Sequence, residues 1–404
     1  MFDFQIITRE LKMLKSIIVF IFLLCVHLVL MPSEIFSQVN IEPGDPPNNE
    51  NVPGFFKSKL SDIDNEVANI KRGSIKVITK SPGGLPVYAI YYGEKENFFS
   101  QANYNSAVAA GNPAFYAKKT KETKPVVFFI GPVHGHEVEG IAGLVNLIHI
   151  AETGKDYRGK EWASLKSNFE KCRVIIIPCA NPDGRRRCPY DSFIGINSDV
   201  MHKYGQGTHK DGTLWGWPQT KSLHPMKGDV GILGAYYNDD GINIMQDEFF
   251  LPMAEETKSI LRIARDEAPD ISISLHSYEI PPSILQSNYL PLFMEKRVVG
   301  LAVQLNKYYK SAGLPYIQDM PEELPEKAYV EDQSFPPRKT FNLIGALHHV
   351  SGTMALTFEC SQGLVDGRTM VPIVDYDNIL DIELGLYQEV FNYVISQRLY
   401  WERK

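Results

Sequence analysis

The 404-residue chain has few cysteines, no excess of positive charge and a single long apolar run. Its 41 lysines and arginines are outnumbered by 48 aspartates and glutamates, which gives a formal net charge of −7. Nucleic acids and anionic membrane surfaces select basic faces, so this balance argues against either as the main partner. The hydrophobic content of 44% is ordinary for a folded protein and excludes disorder over most of the chain.

The apolar run covers residues 17–31 and contains no charged side chain. It is shorter than the roughly 20 apolar residues that a membrane-spanning helix needs. Basic residues precede it and a more polar stretch follows, which is the pattern of a secretory signal peptide. We therefore predict a signal peptide over 1–38, cleaved near Ser37, and an exported protein that is periplasmic or secreted, without stable membrane insertion after cleavage. An uncleaved N-terminal anchor is the alternative.

Four cysteines lie beyond this segment, at Cys172, Cys179, Cys188 and Cys360. In an exported protein they permit up to two disulfides, and free buried thiols are the alternative. Cys172 and Cys179 fall on one predicted strand with side chains on opposite faces, so they cannot pair with each other. The four are too scattered for a zinc-knuckle motif.

Composition divides the rest of the chain into an N-terminal arm or linker at 39–73 and one domain at 74–404. Residues 39–54 are rich in proline, glycine and asparagine, as extended linkers are. Within the domain, the longest stretch without a confident element is 181–247. We expect a functional rim or insertion there, at about 185–250.

Apolar patterns in the domain alternate between strands and helices. Strands are predicted at 75–79, 87–92, 126–130, 173–179, 271–275 and 354–358. Helices are predicted at 138–152, 252–267, 295–312 and 378–398. Buried strands that alternate with helices indicate an α/β fold in layers, with a mostly parallel or mixed sheet.

Three of the predicted buried strands end in residues typical of metal binding or acid–base chemistry. The first leads to His134 and Glu137, the second to His276, and the third to Glu359. In open α/β sheets, sites are built at the carboxyl ends of the strands. We therefore expect these four side chains to meet at one edge of the sheet.

The first three of these residues form a candidate metal site. His134 and Glu137 are three positions apart at the start of a predicted helix, so both side chains can face one point. His276 would complete a His₂Glu set, and three protein ligands with an open position are typical of catalytic zinc. His136 competes with His134 as the histidine ligand of this loop.

The order of these motifs resembles that of the zinc metallocarboxypeptidase superfamily, peptidase family M14. The residues that carry the resemblance are 81–88 (SPGGLPVY) as an opening hairpin, the HxxE of 134–137, the NPDG turn of 181–184, 275–278 (LHSY) and 357–359 (TFE). The resemblance implies a three-layer α/β/α fold with a central mixed, mostly parallel sheet, in a divergent exported member of bacterial type. It also implies zinc as the cofactor and Glu359 as the general base that later protonates the leaving amine.

The chain departs from the family where an Asn-Arg pair grips the substrate's terminal carboxylate. Asn243 can take the place of the asparagine, but Ile244 follows it, and isoleucine cannot supply the guanidinium fork. If the segment after the NPDG turn is extended, Arg185 and Arg187 share one face. One of them would then polarise the substrate carbonyl, and the other would bind a substrate anion. Tyr278, beside the third ligand, is a candidate for substrate contact.

The leading hypothesis is an exported zinc-dependent hydrolase of amide bonds, a peptidase of metallocarboxypeptidase type. The first alternative is a deacylase or amidase that acts on N-acyl amino acids or cell-wall peptides. The second is a pseudoenzyme that binds peptides or glycans without turnover. The oligomeric state stays open.

Overall fold

The computed structural model describes residues 40–48, 51–285, 289–318, 341–365 and 374–398. The predicted signal peptide lies outside these ranges and stays a prediction. The described residues all belong to one compact unit, which runs from Gln38 to Lys404. Among them, no helix combines the length and the apolar character required to cross a membrane.

The described chain forms a seven-stranded sheet with helices on both faces. The strands are β1 (Ser74–Lys80), β2 (Pro86–Tyr92), β3 (Val126–Ile130), β4 (Arg173–Ile177), β5 (Ile271–Tyr278), β6 (Ser283–Leu285) and β7 (Met354–Ser361). The helices are α1 (Leu60–Asn69), α2 (Tyr104–Ala109), α3 (Glu139–Thr153), α4 (Ala163–Phe169), α5 (Pro182–Arg187), α6 (Ser198–Gly205), α7 (Glu255–Glu267), α8 (Leu292–Ala312), α9 (Leu343–Ser351) and α10 (Tyr376–Ser396).

The strand order is β1-β2-β4-β3-β5-β7-β6. The four central strands β4, β3, β5 and β7 are parallel to one another. Antiparallel pairs close both edges, through β2 with β1 on one side and β6 on the other. The predicted mixed, mostly parallel sheet is therefore confirmed.

Strand β3 shows how the sheet separates two apolar layers. Val127 and Phe129 belong to the core formed with α3, α8 and α10. Their neighbours Phe128 and Ile130 belong to the opposite core, formed with α7 and α9. Successive strand residues point to opposite faces, so a continuous apolar run is buried on both. Each such side chain contributes roughly 1.5–3 kcal/mol to stability when fully buried. Helices cover both faces of the sheet, so the three-layer α/β/α fold is confirmed.

The structure contains short elements that the sequence patterns did not predict. Helix α1 lies within the segment predicted as an arm, and Ile63 in it is buried against the α3 helix. Most of residues 181–247, which we call the rim segment, is irregular, but it contains α5 and α6. Helices of six to eight residues are too short to display a full apolar period. All four cysteines are buried with free thiols.

Candidate metal centre

The sheet brings the candidate residues to one edge, as the sequence predicts. In the β5–β7 pair, His276 lies directly opposite Glu359. Strand β3, the other neighbour of β5, ends at Ile130 and leads into the loop that carries His134 and Glu137. Three separate strands thus deliver their side chains to the same place.

The loop after β3 is fixed by close contact with the turn at 181–184. A Cβ atom on Gly135 would lie 2.0 Å from the backbone nitrogen of Arg185, so no residue larger than glycine fits there. The Asn181 side chain caps α5 by accepting from Gly184 N at 2.9 Å. It also donates to the carbonyl of Val133 at 3.0 Å. The asparagine of the NPDG turn therefore positions the residue just before His134.

His134, Glu137 and His276 form the group that can hold a metal ion. Their ligand atoms all lie within 4.8 Å of one another, and all three residues are buried. The Nδ1 atom of His134 lies 2.9 Å from one carboxylate oxygen of Glu137. The Nδ1 atom of His276 lies 2.8 Å from the other. His136, the competing histidine, is not a member of this group.

Each histidine of the group is oriented through its second ring nitrogen. Asn243 Oδ1 lies 3.3 Å from His134 Nε2, and Ser274 Oγ lies 3.0 Å from His276 Nε2. The ring of Tyr236 stacks on the His134 ring with a centroid distance of 3.5 Å. These contacts hold the Nε2 atom of each ring, so that both Nδ1 atoms face Glu137. Metal-binding histidines are commonly oriented in this way by a partner on the second ring nitrogen.

The charges of the group suit a divalent cation. Burial opposes ionisation of Glu137, but His134 and His276 together hold the pKa of its carboxyl well below the ordinary value. Burial lowers the pKa of His134 and so favours its neutral imidazole, whereas the carboxylate of Glu137 raises the pKa of His276 against the effect of burial. An anionic carboxylate with two imidazoles is the His₂Glu donor set of catalytic zinc, so the residues present fit zinc.

Glu359 lies beside this group without belonging to it. The residue is partly exposed, whereas the three candidate ligands are buried. Desolvation and the carboxylate of Glu137 raise the pKa of Glu359, against the lowering effect of His276. A carboxylate that is close to the metal position and open on one side can accept a proton from a water molecule there.

The two arginines predicted to act on substrate form hydrogen bonds and ion pairs within the protein. Residues 182–187 form α5 and are not extended. Arg185 donates to the carbonyls of Ser58 and Cys188, at 2.9 and 3.1 Å, and pairs with Asp191 at 2.7 Å. Arg187 is also buried, and it pairs with Asp239 and donates to backbone carbonyls of the rim segment. The expectation that either one polarises the substrate carbonyl is corrected, because their donors hold the fold.

Replacement of Arg187 by lysine is expected to lower stability and leave turnover unchanged. A lysine keeps the charge opposite Asp239 but cannot also serve the backbone carbonyls, and a buried polar group left without its partner costs about 1–3 kcal/mol. The free energy of unfolding from denaturant titration measures the loss, and Lys227→Met, an exposed change in the same segment, is the control. A variant as stable as the wild type but with reduced kcat per zinc-loaded molecule would contradict this structural role.

The other two predicted substrate residues differ in their surroundings. Asn243 is buried, and its carboxamide oxygen contacts His134 and accepts from the backbone nitrogen of Met245 at 3.0 Å. These contacts use the carboxamide oxygen, whereas a carboxylate would accept from the carboxamide nitrogen, so the role of Asn243 as a carboxylate grip stays a prediction. Tyr278 ends β5, is partly buried, and packs against the apolar cluster around Tyr190 and Phe193. Its contact with substrate stays a prediction.

Comparison with known proteins identifies the family. The sequence profile described as zinc carboxypeptidase, of peptidase family M14, matches residues 66–280. The chain therefore belongs to this family and is a zinc metallopeptidase. The match covers His134, Glu137 and His276 and ends before Glu359. Comparison with curated proteins gives no match.

Solved structures of low sequence identity are similar to this chain. A candidate carboxypeptidase from Burkholderia mallei has a TM-score of 0.50 and 13% identity, over 83% of this chain and 67% of that chain. A metallo-carboxypeptidase from Burkholderia cenocepacia has a TM-score of 0.49 and 14% identity, over 83% and 68%. Carboxypeptidase A from Helicoverpa armigera has a TM-score of 0.46 and 12% identity, over 87% and 77%.

Proposed function

We propose that this protein is an exported zinc hydrolase that cleaves an amide bond in peptides, with Glu359 as its general base. The observation that carries the proposal is the meeting of the His₂Glu group with Glu359 across one strand pair. A site that only bound a ligand would need no base next to the metal position. The position of Glu359 therefore favours hydrolysis over a pseudoenzyme.

The residues of the site have separate tasks in this proposal. His134, Glu137 and His276 would hold zinc, which when bound polarises a carbonyl group and lowers the pKa of water. Glu359 accepts a proton from the attacking water and passes it to the leaving amine. Asn243 and Ser274 act through the histidines, because they fix the ring orientations.

The choice of substrate depends on whether a free carboxylate is held. Arg185 and Arg187 are committed to other contacts, so neither offers a guanidinium fork to a peptide C-terminus. This arrangement favours amide hydrolysis that does not require a free C-terminus. The second candidate, a deacylase or amidase acting on N-acyl amino acids or cell-wall peptides, would catalyse a reaction of this kind.

The test is hydrolysis of matched peptides by the zinc-loaded full chain. Each peptide is offered with a free and with an amidated C-terminus, and release of amine is measured with and without a chelator. We expect chelator-sensitive cleavage of both forms. Cleavage of the free form alone would identify a strict carboxypeptidase. The absence of chelator-sensitive cleavage on peptides and acyl amino acids would remove the proposed function.

A further inference from the structure

Lys221 is a cation of the rim segment. It lies on the 3₁₀ turn Gln219–Ser222. In the part of the chain that the structure describes, its ammonium makes no hydrogen bond or ion pair. Its nearest aromatic contact is the half-exposed ring of Trp217, 4.8 Å from Nζ to the centroid. Such a contact is worth roughly 0.5–1 kcal/mol at an exposed site, which favours one position of the ammonium without holding it there.

The turn that carries Lys221 is anchored on both sides. Before it in the chain, Thr220 is fully buried, and its hydroxyl lies 2.8 Å from that of Tyr237. After it, His224 Nε2 accepts from the backbone nitrogen of Asn243 at 2.9 Å. The backbone at Lys221 is therefore fixed between two bonded points.

Both anchors lead to the surroundings of His134. Asn243, bonded to His224, is the residue whose side chain contacts His134. Tyr236, the neighbour of Tyr237, stacks on the His134 ring. The turn is thus attached to Asn243 and to the neighbour of Tyr236. The Trp217 side chain, on whose ring the Lys221 ammonium lies, also hydrogen-bonds the Tyr236 side chain, which brings Lys221 close to the metal-ligand group.

The charge of Lys221 reaches three groups of the site. Burial is the largest influence on the pKa of His134, of His276 and of Glu359, and the charge of Lys221 is a smaller one that lowers each of them. The Coulomb interaction falls with distance, so the ammonium lies in the neighbourhood of these groups. A substrate carbonyl must sit between the same groups for hydrolysis by the proposed mechanism.

We propose that Lys221 is a catalytic residue whose ammonium binds the carbonyl oxygen of the scissile amide as that oxygen becomes negative. The inference rests on the proposed hydrolytic function. Preorganised donors aimed at developing charge are among the largest contributions to catalysis. The neighbouring arginines cannot supply such a donor, because Arg185 and Arg187 are bound elsewhere.

The step balances without any change in the protonation of Lys221. Water adds its oxygen to the carbonyl carbon and gives one proton to Glu359, while the π electron pair moves onto the carbonyl oxygen. Lys221 donates a hydrogen bond to that oxygen. Return of the electron pair re-forms the carbonyl and breaks the carbon–nitrogen bond, and the amine leaves with the proton from Glu359.

Steady-state kinetics of zinc-loaded Lys221→Met and Lys221→Arg test the role in turnover. We expect Lys221→Met to lower kcat by about 10²–10³-fold with little change in KM, as for loss of one oxyanion donor. Lys221→Arg keeps a cationic donor and should recover part of the loss, and Lys227→Met is the matched control. An unchanged kcat would overturn the proposal. So would a rise in KM confined to substrates with a free C-terminus, because Lys221 would then bind the carboxylate.

A binding measurement separates this inference from the proposed function. A phosphinic dipeptide carries an anionic tetrahedral centre in place of the scissile amide, and calorimetry measures its affinity for the zinc-loaded protein without turnover. We expect Lys221→Met to weaken binding by about 10²–10³-fold, and Lys227→Met to leave it unchanged. Equal affinity in wild type and Lys221→Met, or no binding by the wild type, would overturn the role of Lys221. Failure of the proposed function would appear differently, as missing hydrolysis of every substrate.

Discussion

Replacement of Glu359 by glutamine is expected to reduce kcat by about 10²–10⁴-fold and to leave zinc binding intact. Glutamine has nearly the same size and keeps a polar head, but it cannot accept the proton of the attacking water. Because Glu359 is outside the His₂Glu group, the metal ligands are unchanged. Turnover of the amidated peptide and zinc content of the same preparation measure the two effects.

A conservative change in a nearby carboxylate provides the control for this prediction. Glu279 follows β5 closely in the chain and is not in the candidate metal group. If the loss of activity in Glu359→Gln is due to the position of Glu359, and not simply to the loss of one negative charge, Glu279→Gln should retain most of the activity. A Glu359→Gln variant with wild-type kcat would contradict the general-base assignment and leave the metal site itself untouched.

Replacement of His276 by alanine is expected to abolish stabilisation of the fold by zinc. A ligand that binds the folded state at 100 times its dissociation constant raises the free energy of unfolding by about 2.7 kcal/mol. The wild type should show a gain of this order when zinc is added. The variant retains one histidine and one carboxylate of the group and should show none. Denaturant titrations with and without zinc measure the difference.

Two further variants are expected to weaken zinc binding only in part or not at all. Asn243→Ala removes the partner of His134 Nε2 and should weaken zinc binding by about 10–100-fold without abolishing it. His209→Ala changes a rim histidine that pairs with the exposed Asp229, and zinc affinity should stay at the wild-type level. Equal zinc stabilisation in His276→Ala and wild type would place the metal elsewhere.

The sequence was sufficient to predict the sheet edge and the metal-ligand group. Buried apolar runs mark β3, β5 and β7, and polar residues at their ends stand out against those runs. The spacing of His134 and Glu137 favoured His134 over His136, and the structure places His134 in the group. These signals lie in short stretches of sequence, so they can be recognised without knowledge of the tertiary contacts.

The partners of the ligands depend on contacts that local patterns do not contain. Ser274 had a usable signal, because a residue two positions before His276 in a strand lies on the same face. Tyr236 had none, since it reaches the site from an irregular segment whose path is set by long-range hydrogen bonds. Arg187 was misassigned for a related reason: a run of arginines gives no sign of the carbonyls that will surround it.

The proposed reaction requires that zinc binds between His134, Glu137 and His276. An anomalous difference map recorded at the zinc absorption edge, from crystals of the full chain grown with zinc, tests it directly. We expect a single strong peak at about 2.0–2.2 Å from the two histidine nitrogens and a carboxylate oxygen of Glu137. A zinc-loaded crystal with no peak at this position, or with its zinc bound by other residues, would contradict it.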